Sequence, residues 1–323
     1  MDYGTVPGID KPVSRVAQGG DMLRTDQQAQ SFELLDAVFA QGCTAFDNAH
    51  VYGGGGSERV LGRWINDRGI RGRVVILTKG AHHNPDRRRV TPFDIAADLY
   101  DSLARLGTDH IDLYVLHRDD PSVPVGPIVE CLNEHRDAGR IGAFGGSNWT
   151  HRRIAEANEY ADQHGLVGFA VSSPNFSLAE MVREPWGECV SIGGPAGAEA
   201  RAWYADNQLA IFSWSTLARG FFSGRFTRQD MEARPADDRD LAVYSFRSED
   251  NLKRLDRVHE LAAAKGCTVP QLALAWVLNQ PLNVFALVGA ASGEEYRANA
   301  VACDLKLTPA ELAWLDLQRD TPA

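Results

Sequence analysis

Four side chains of complementary chemistry stand at intervals in the N-terminal part of the sequence. Asp47 and Tyr52 lie in "FDNAHVYGGGG", Lys79 in "VVILTKGA" and His117 in "IDLYVLHR". A phenol is a weak acid, with a reference pKa of about 10. A lysine ammonium beside it favours the phenolate and lowers that value, and an aspartate can hold the lysine charged. A histidine nearby can hydrogen-bond a substrate oxygen. The set makes a proton donor for an oxygen that becomes negative, as a carbonyl oxygen does when hydride attacks its carbon.

Each group alone has a plainer reading. Asp47 with Lys79 reads as a structural ion pair, Tyr52 as a loop aromatic, and His117, behind apolar "LYVL", as a satisfied core histidine. It is the four in register that favours chemistry. Schiff-base use of Lys79 needs an apolar setting in which the amine loses its proton, and Asp47 opposes that. His82 and His83 lack a third ligand at metal spacing, so they are expected to line a mouth or face solvent. The run Gly53–Gly56 has neither the GK[ST] ending of a P-loop nor the context of a dinucleotide-binding turn. Its expected use is a sharp turn over a rim, with Ser57 as N-cap of the following helix.

The elements that would position these groups are legible as periodicity. Eight short runs rich in Val, Ile and Leu (13–20, 44–51, 74–81, 111–118, 141–148, 168–174, 209–216 and 283–290) alternate with amphipathic stretches. One such stretch, "TPFDIAADLYDSLARLG", opens on Thr91 and closes on Gly107, the expected helix end signals. Near-continuously apolar strands separated by helices predict a parallel sheet closed into a (β/α)8 TIM barrel. Nothing in the sequence divides the chain, so residues 1–323 are expected to form a single domain with long loops over the C-terminal rim. Segments 175–208 and 217–247 exceed the usual loop length and are expected to cover the mouth. In such a barrel the site lies at the carboxyl ends of the strands, where Asp47, Lys79 and His117 fall together with Ser147, Asn148, Trp214 and Ser215. Ser147 and Asn148 also fit a helix cap, and Trp214 also fits a plug of the barrel top.

Composition narrows the class. The 323 residues are 44% hydrophobic and 24% charged, with a net charge of −10. That balance argues against a nucleic-acid or anionic-membrane partner. Five dispersed cysteines without CxxC spacing fit reduced thiols, and neither a signal peptide nor a membrane-length apolar run is evident. The expectation is a cytoplasmic protein; its oligomeric state is not legible.

Taken in order, "FDNAHVYGGGGSERVLGR", "ILTKG", "LYVLHRDD", "GGSNW", "SWSTLARGFFSGRF" and "GAASGEEYRAN" resemble the aldo-keto reductase superfamily over roughly residues 13 to 300. The resemblance implies a barrel that binds a nicotinamide cofactor without a Rossmann fold. It also implies reduction of an aldehyde, ketone or sugar to an alcohol, or the reverse oxidation. On that likeness Tyr52 is the general acid and base, Lys79 its partner, Asp47 the group holding Lys79, and His117 the group orienting the carbonyl. Ser147 and Asn148 would hydrogen-bond the nicotinamide carboxamide, Trp214 would stack on its ring, and Ser215, Leu217, Arg219 and Gly220 would embrace the pyrophosphate. Ser292 and Asn299 match the segment around the adenosine ribose. The family also includes cofactor-binding regulatory subunits, so a binding or redox-sensing module without significant turnover is the alternative.

Some positions depart from the family pattern. Ser173 stands where an amide usually contacts the carboxamide. Gly289 and Glu295 stand where many members carry a Lys and an Arg or Gln, with Arg297 close by as a replacement cation. The resemblance slightly favours NADP(H), while Glu295 and Gly289 admit NAD(H), because a carboxylate repels a 2′-phosphate and accepts hydrogen bonds from a ribose hydroxyl. Arg118, Trp149 and Phe176 are expected to face a small carbonyl or alcohol substrate. Arg118, Asp119 and Asp120 favour a hydroxylated one, and an aromatic wall of Trp149, Phe176 and Trp186 suits a ring.

Overall fold

Every residue of "VILTKG", "IDLYVL" and "VFALV" is buried, as strands covered on both faces must be. In the computed structural model, which describes residues 1–235 and 237–322, eight such strands run parallel. They are β3 (Val16–Gly19), β4 (Ala45–Asp47), β5 (Val75–Gly80), β6 (Ile111–Leu116), β7 (Ile141–Ser147), β8 (Val171–Ser173), β9 (Ala210–Ser213) and β10 (Val284–Val288). They close in the order β10-β3-β4-β5-β6-β7-β8-β9. The closed (β/α)8 barrel expected from the alternation is the observed fold.

The pleat sorts the strand residues by parity. Ala17, Ala45, Val75, Leu77, Leu113, Val115, Ala143, Val171, Ala210, Phe212, Phe285 and Leu287 form one cluster that fills the barrel. Within it Phe212 and Phe285 stack with ring centroids 4.6 Å apart. The alternate residues, among them Phe46, Ile76, Tyr114, Phe144 and Ile211, belong to the larger cluster under the helices. These helices are α1 (Gln28–Ala40), α2 (Gly56–Arg68), α3 (Pro92–Leu106), α4 (Val125–Asp137), α5 (His151–Gln163), α6 (Ala198–Asn207), α7 (Arg228–Glu232), α8 (Leu241–Phe246), α9 (Glu249–Lys265), α10 (Val269–Leu278), α11 (Gly293–Ala300) and α12 (Pro309–Leu315). Thr91 caps α3 by accepting from the Asp94 amide, and Gly107 ends it in the left-handed region, as the sequence predicts. Thr308 and Glu311 form the capping box of the last helix, α12.

A hairpin that the apolar pattern did not announce, β1 (Tyr3–Val6) and β2 (Ile9–Ser14), closes the amino end of the barrel. Val6 and Val13 enter the interior cluster. Lys11 donates to Asp112 at 2.6 Å and to the Val74 carbonyl at 2.8 Å. With that end plugged, the carboxyl end is the open mouth. The five cysteines are all unpaired, and among the described residues no single helix is long and apolar enough to cross a membrane.

Candidate active site

Continuing each interior row by two residues gives the floor of the open mouth. Ala45 leads to Asp47, Leu77 to Lys79, Val115 to His117, Ala143 through Gly145 to Ser147, and Phe212 to Trp214. The pleat alone therefore aims all five side chains up into one cleft of about 870 Å³, at the upper end for ligand sites. Its wall also carries Tyr52, Asn148, Arg118, Ser215, Leu217, Arg219, Gly220, Gly289, Glu295 and Asn299.

Tyr52 reaches the cleft because of the glycines. A 3-10 turn over Tyr52–Gly55 has Gly53, Gly54 and Gly55 at φ +56°, +61° and +86°, the left-handed region that costs an L-residue about 1–2 kcal/mol each. The turn feeds straight into α2, whose first amide, that of Gly56, donates to the Tyr52 and Gly53 carbonyls. Ser57 is therefore not the N-cap that the sequence suggested; Gly55 is, and the Ser57 hydroxyl donates to the Gly20 carbonyl.

Lys79 and Asp47 form a buried ion pair, and Lys79 also donates to the Asn48 carbonyl at 3.3 Å. Burial pulls the ammonium down, but Asp47 and Tyr52 outweigh it and hold Lys79 above its ordinary value, the opposite of what a Schiff-base amine requires. The ammonium stands 5.4 Å from the centroid of the Tyr52 ring. Burial pushes the Tyr52 phenol up and the Lys79 charge pulls it back. The lysine's influence has the expected sign, yet the net shift is upward, because dehydrating a phenolate in this cleft outweighs the nearby cation. The His117 ring meets Tyr52 edge-on at 5.9 Å and His82 edge-on at 4.8 Å. Burial first, and then the Lys79 charge, hold His117 well below its ordinary value, so the imidazole is neutral at neutral pH. Its Nδ1 is buried without a partner among the described residues.

Around these groups the wall is braced. The Ser147 hydroxyl donates to the Ser173 carbonyl at 2.9 Å. The Asn148 side chain donates to Ser147 Oγ at 3.2 Å and accepts from the Val190 amide at 3.2 Å. Neither caps α5; Thr150 does. Trp214 leans on Trp186 at 5.5 Å, and its indole N–H is buried without a partner. Non-glycine residues at Asn148, Ser215, Ala218 and Arg219 hold left-handed backbone, strain of about 1–3 kcal/mol each that clusters at functional sites. Ser215 and the run Ala218–Gly220 are all at positive φ, and the loop turns on itself: the Ala218, Gly220 and Phe221 amides donate to the Ser215, Leu217 and Ala218 carbonyls, with Arg219 on the cleft wall.

Several expected site residues are elsewhere. Trp149 is fully buried: Asn148, at φ +57°, turns the chain off the strand, and the indole packs on Phe169 and donates to the Arg118 carbonyl at 3.0 Å. Phe176 is fully buried against Trp276. Only Trp186 of the expected aromatic wall lines the cleft. Ser173 lies behind the wall with its hydroxyl unpartnered. Ser292 caps α11, accepting from the Glu295 amide at 3.1 Å, and does not line the cleft. Arg297 is exposed and also off the wall. Arg225, Arg228 and Arg234 of the second long segment, which the structure describes except for residue 236, pair with acids. Its cleft contribution is Leu217, Arg219, Gly220 and Ser223, and that of the first long segment is Trp186 and Gly187.

Gly19, Asp21 and Met22 also line the cleft. They end or follow β3, and the strand-end rule applied to "VAQGGDM" would have found them. His82 and His83 line the mouth as expected, and among the described residues no cluster is arranged to hold a metal.

An indole N–H and an imidazole nitrogen without partners among the described residues, with Arg219 in the same cleft, fit a nicotinamide dinucleotide. The comparisons agree. The chain matches the aldo/keto reductase family model over residues 16–317. It is 30% identical to the aldo-keto reductase YhdN of Bacillus subtilis over 90% of this chain and 85% of that one. It is 29% identical to a probable voltage-gated potassium channel subunit beta of Oryza sativa over 85% of this chain and 83% of the other. An aldo-keto reductase from Klebsiella pneumoniae, solved in complex with NADPH, superposes with a TM-score of 0.73 at 26% identity, covering 98% of this chain and 95% of that one.

Proposed function

The chain belongs to the aldo/keto reductase family, and from that premise we propose that Tyr52 is the proton donor and acceptor of its NAD(P)-dependent carbonyl reduction. One observation carries this reading: Tyr52, the Lys79–Asp47 pair and His117 meet at the open mouth of the barrel, beneath Trp214. The bound cofactor supplies a hydride. The chain supplies everything else. Tyr52 gives its proton to the carbonyl oxygen as the C=O π bond breaks, so that an alcohol forms, and takes it back in the reverse direction. Lys79, held charged by Asp47, stabilises the phenolate left behind. His117, neutral, orients the oxygen. Ser147, Asn148 and Trp214 position the nicotinamide end, and the loop 215–220, with the Arg219 guanidinium, takes the pyrophosphate.

At the adenosine end we propose that discrimination between NADP(H) and NAD(H) is small, with NADP(H) slightly preferred. The likeness to the NADPH-bound Klebsiella structure supports NADP(H). Glu295 on the wall, with Arg297 turned away from it, supports acceptance of NAD(H). The substrate is a small carbonyl or alcohol. Titrating the purified protein with NADPH and NADH, each followed by tryptophan quenching, and then offering aldehydes while monitoring the reduced nicotinamide tests the reading. Quenching by both cofactors with turnover is expected. Quenching without turnover of any carbonyl would place the chain with binding subunits instead.

A further inference from the structure

We infer that the carbonyl substrate carries an anionic group, a carboxylate or a phosphate, that pairs with the guanidinium of Arg118; this rests on the reductase reading above. Arg118 follows His117 directly, lines the cleft, and is only 6% exposed. Of its five N–H donors, one is engaged in the structure: Nη1 donates to the His117 carbonyl at 3.1 Å. No carboxylate pairs with it among the described residues, and the acids around it are committed elsewhere. Asp119 pairs with Arg153 at 3.3 Å, Asp120 faces Arg88 at 3.6 Å, and Glu188 holds His83 at 2.6 Å and also Arg88. Glu184 accepts from the Cys189 amide at 3.2 Å, and Asp47 is neutralised by Lys79. A buried charge without a partner is costly, and an arginine fork is suited to carboxylate or phosphate oxygens.

The backbone of Arg118 is held in place. Its carbonyl accepts from the Trp149 indole, so the residue that sequence reasoning placed in the substrate pocket instead fixes the one that is there. Arg219 lines the same mouth, while the cleft's acids Asp21 and Glu295 lie on the β3 and α11 sides. The anionic group is unchanged in the reaction. The carbonyl carbon gains the hydride of the reduced nicotinamide, which becomes oxidised, and the oxygen gains the Tyr52 proton.

Steady-state kinetics with NADPH test this on two matched pairs, 4-oxobutanoate against butanal and glyceraldehyde 3-phosphate against glyceraldehyde. In the wild type, kcat/KM for the charged member of at least one pair is expected to exceed that of its neutral partner by about thirtyfold, the scale of a charged hydrogen bond. The pair showing it identifies carboxylate or phosphate. Arg118→Leu is expected to bring that ratio to within about threefold of unity, with partial recovery in Arg118→Lys. Neutral partners turned over as well as charged ones in both pairs would overturn the inference without touching the reductase reading, and needs no variant to fold. So would a ratio that survives Arg118→Leu. No turnover of the charged members while other aldehydes are reduced would also overturn the inference and leave the reductase reading standing; no turnover of any carbonyl would sink both.

Discussion

For Asp47, Lys79 and His117 the chemistry depends on which way each side chain is aimed, and strand parity does the aiming, while the glycine turn aims Tyr52. Asp47, Lys79, His117 and Trp214 were legible because each extends an alternating row that begins in the barrel interior. Trp149 extends such a row too, yet the left-handed backbone of Asn148 turns it away. A handedness reversal at an asparagine has no periodic signature, which is why that assignment failed. Glu295 is the residue on which cofactor choice turns. Its Oε2 accepts from the Ala291 amide at 2.8 Å, so the carboxylate is fixed at the cleft wall. Replacing it with Gln removes a charge that opposes a 2′-phosphate, worth about 1 kcal/mol at a partly solvated site. The ratio of NADH to NADPH dissociation constants should therefore rise about five- to tenfold in Glu295→Gln, measured by tryptophan quenching. A ratio unchanged or reversed would remove Glu295 from the cofactor site.

Among the elements, the glycines divide into those that need conformation and those that need space. A Cβ on Gly54 meets nothing within 4 Å, so Gly54→Ala bears only the left-handed φ, about 1 kcal/mol. At Gly145 in β7 a Cβ would lie 1.7 Å from the Val171 carbonyl oxygen in the neighbouring strand. Gly145→Ala should therefore cost several times more than Gly54→Ala, at least about 3 kcal/mol, by thermal or chemical unfolding. Comparable losses would mean that the strands do not pack this closely. Both glycines stand in plain view in the sequence, but only the turn at 53–55 could be inferred from it, since crowding at Gly145 needs the neighbour strand in place. The Ser57 cap was misread for a related reason. A 3-10 turn running into α2 already engages the helix's first amide, that of Gly56, and that continuity lies in dihedral angles and not in residue types.

Across the whole molecule, the barrel separates stability from chemistry by its two ends. The continuous apolar runs announced the eight strands, while the hairpin at the amino end escaped notice because "YGTV" and "IDKPVS" are short and mixed, with a proline inside. That end is fastened by Asp112, which is 3% exposed, pairs with Lys11 at 2.6 Å and Arg71 at 2.8 Å, and accepts from the Ile76 amide at 2.8 Å. Asp112→Ala strands two cations and an amide, a loss of about 3 kcal/mol and roughly 5–10 °C in Tm. Because Asp112 lies at the opposite end of β6 from His117, kcat should stay within about twofold of wild type at a temperature where both are folded. A large fall in kcat there would show that the two ends are coupled.

The central claim is that the Tyr52 phenol delivers the proton, and single-turnover reduction of an aldehyde by cofactor-loaded Tyr52→Phe tests it most directly. The variant keeps the ring at the cleft wall and loses only the hydroxyl. Cofactor quenching should persist while the chemical step slows at least about a hundredfold, the scale of lost acid catalysis. A Tyr52→Phe enzyme that reduces the aldehyde at the wild-type rate would contradict the account.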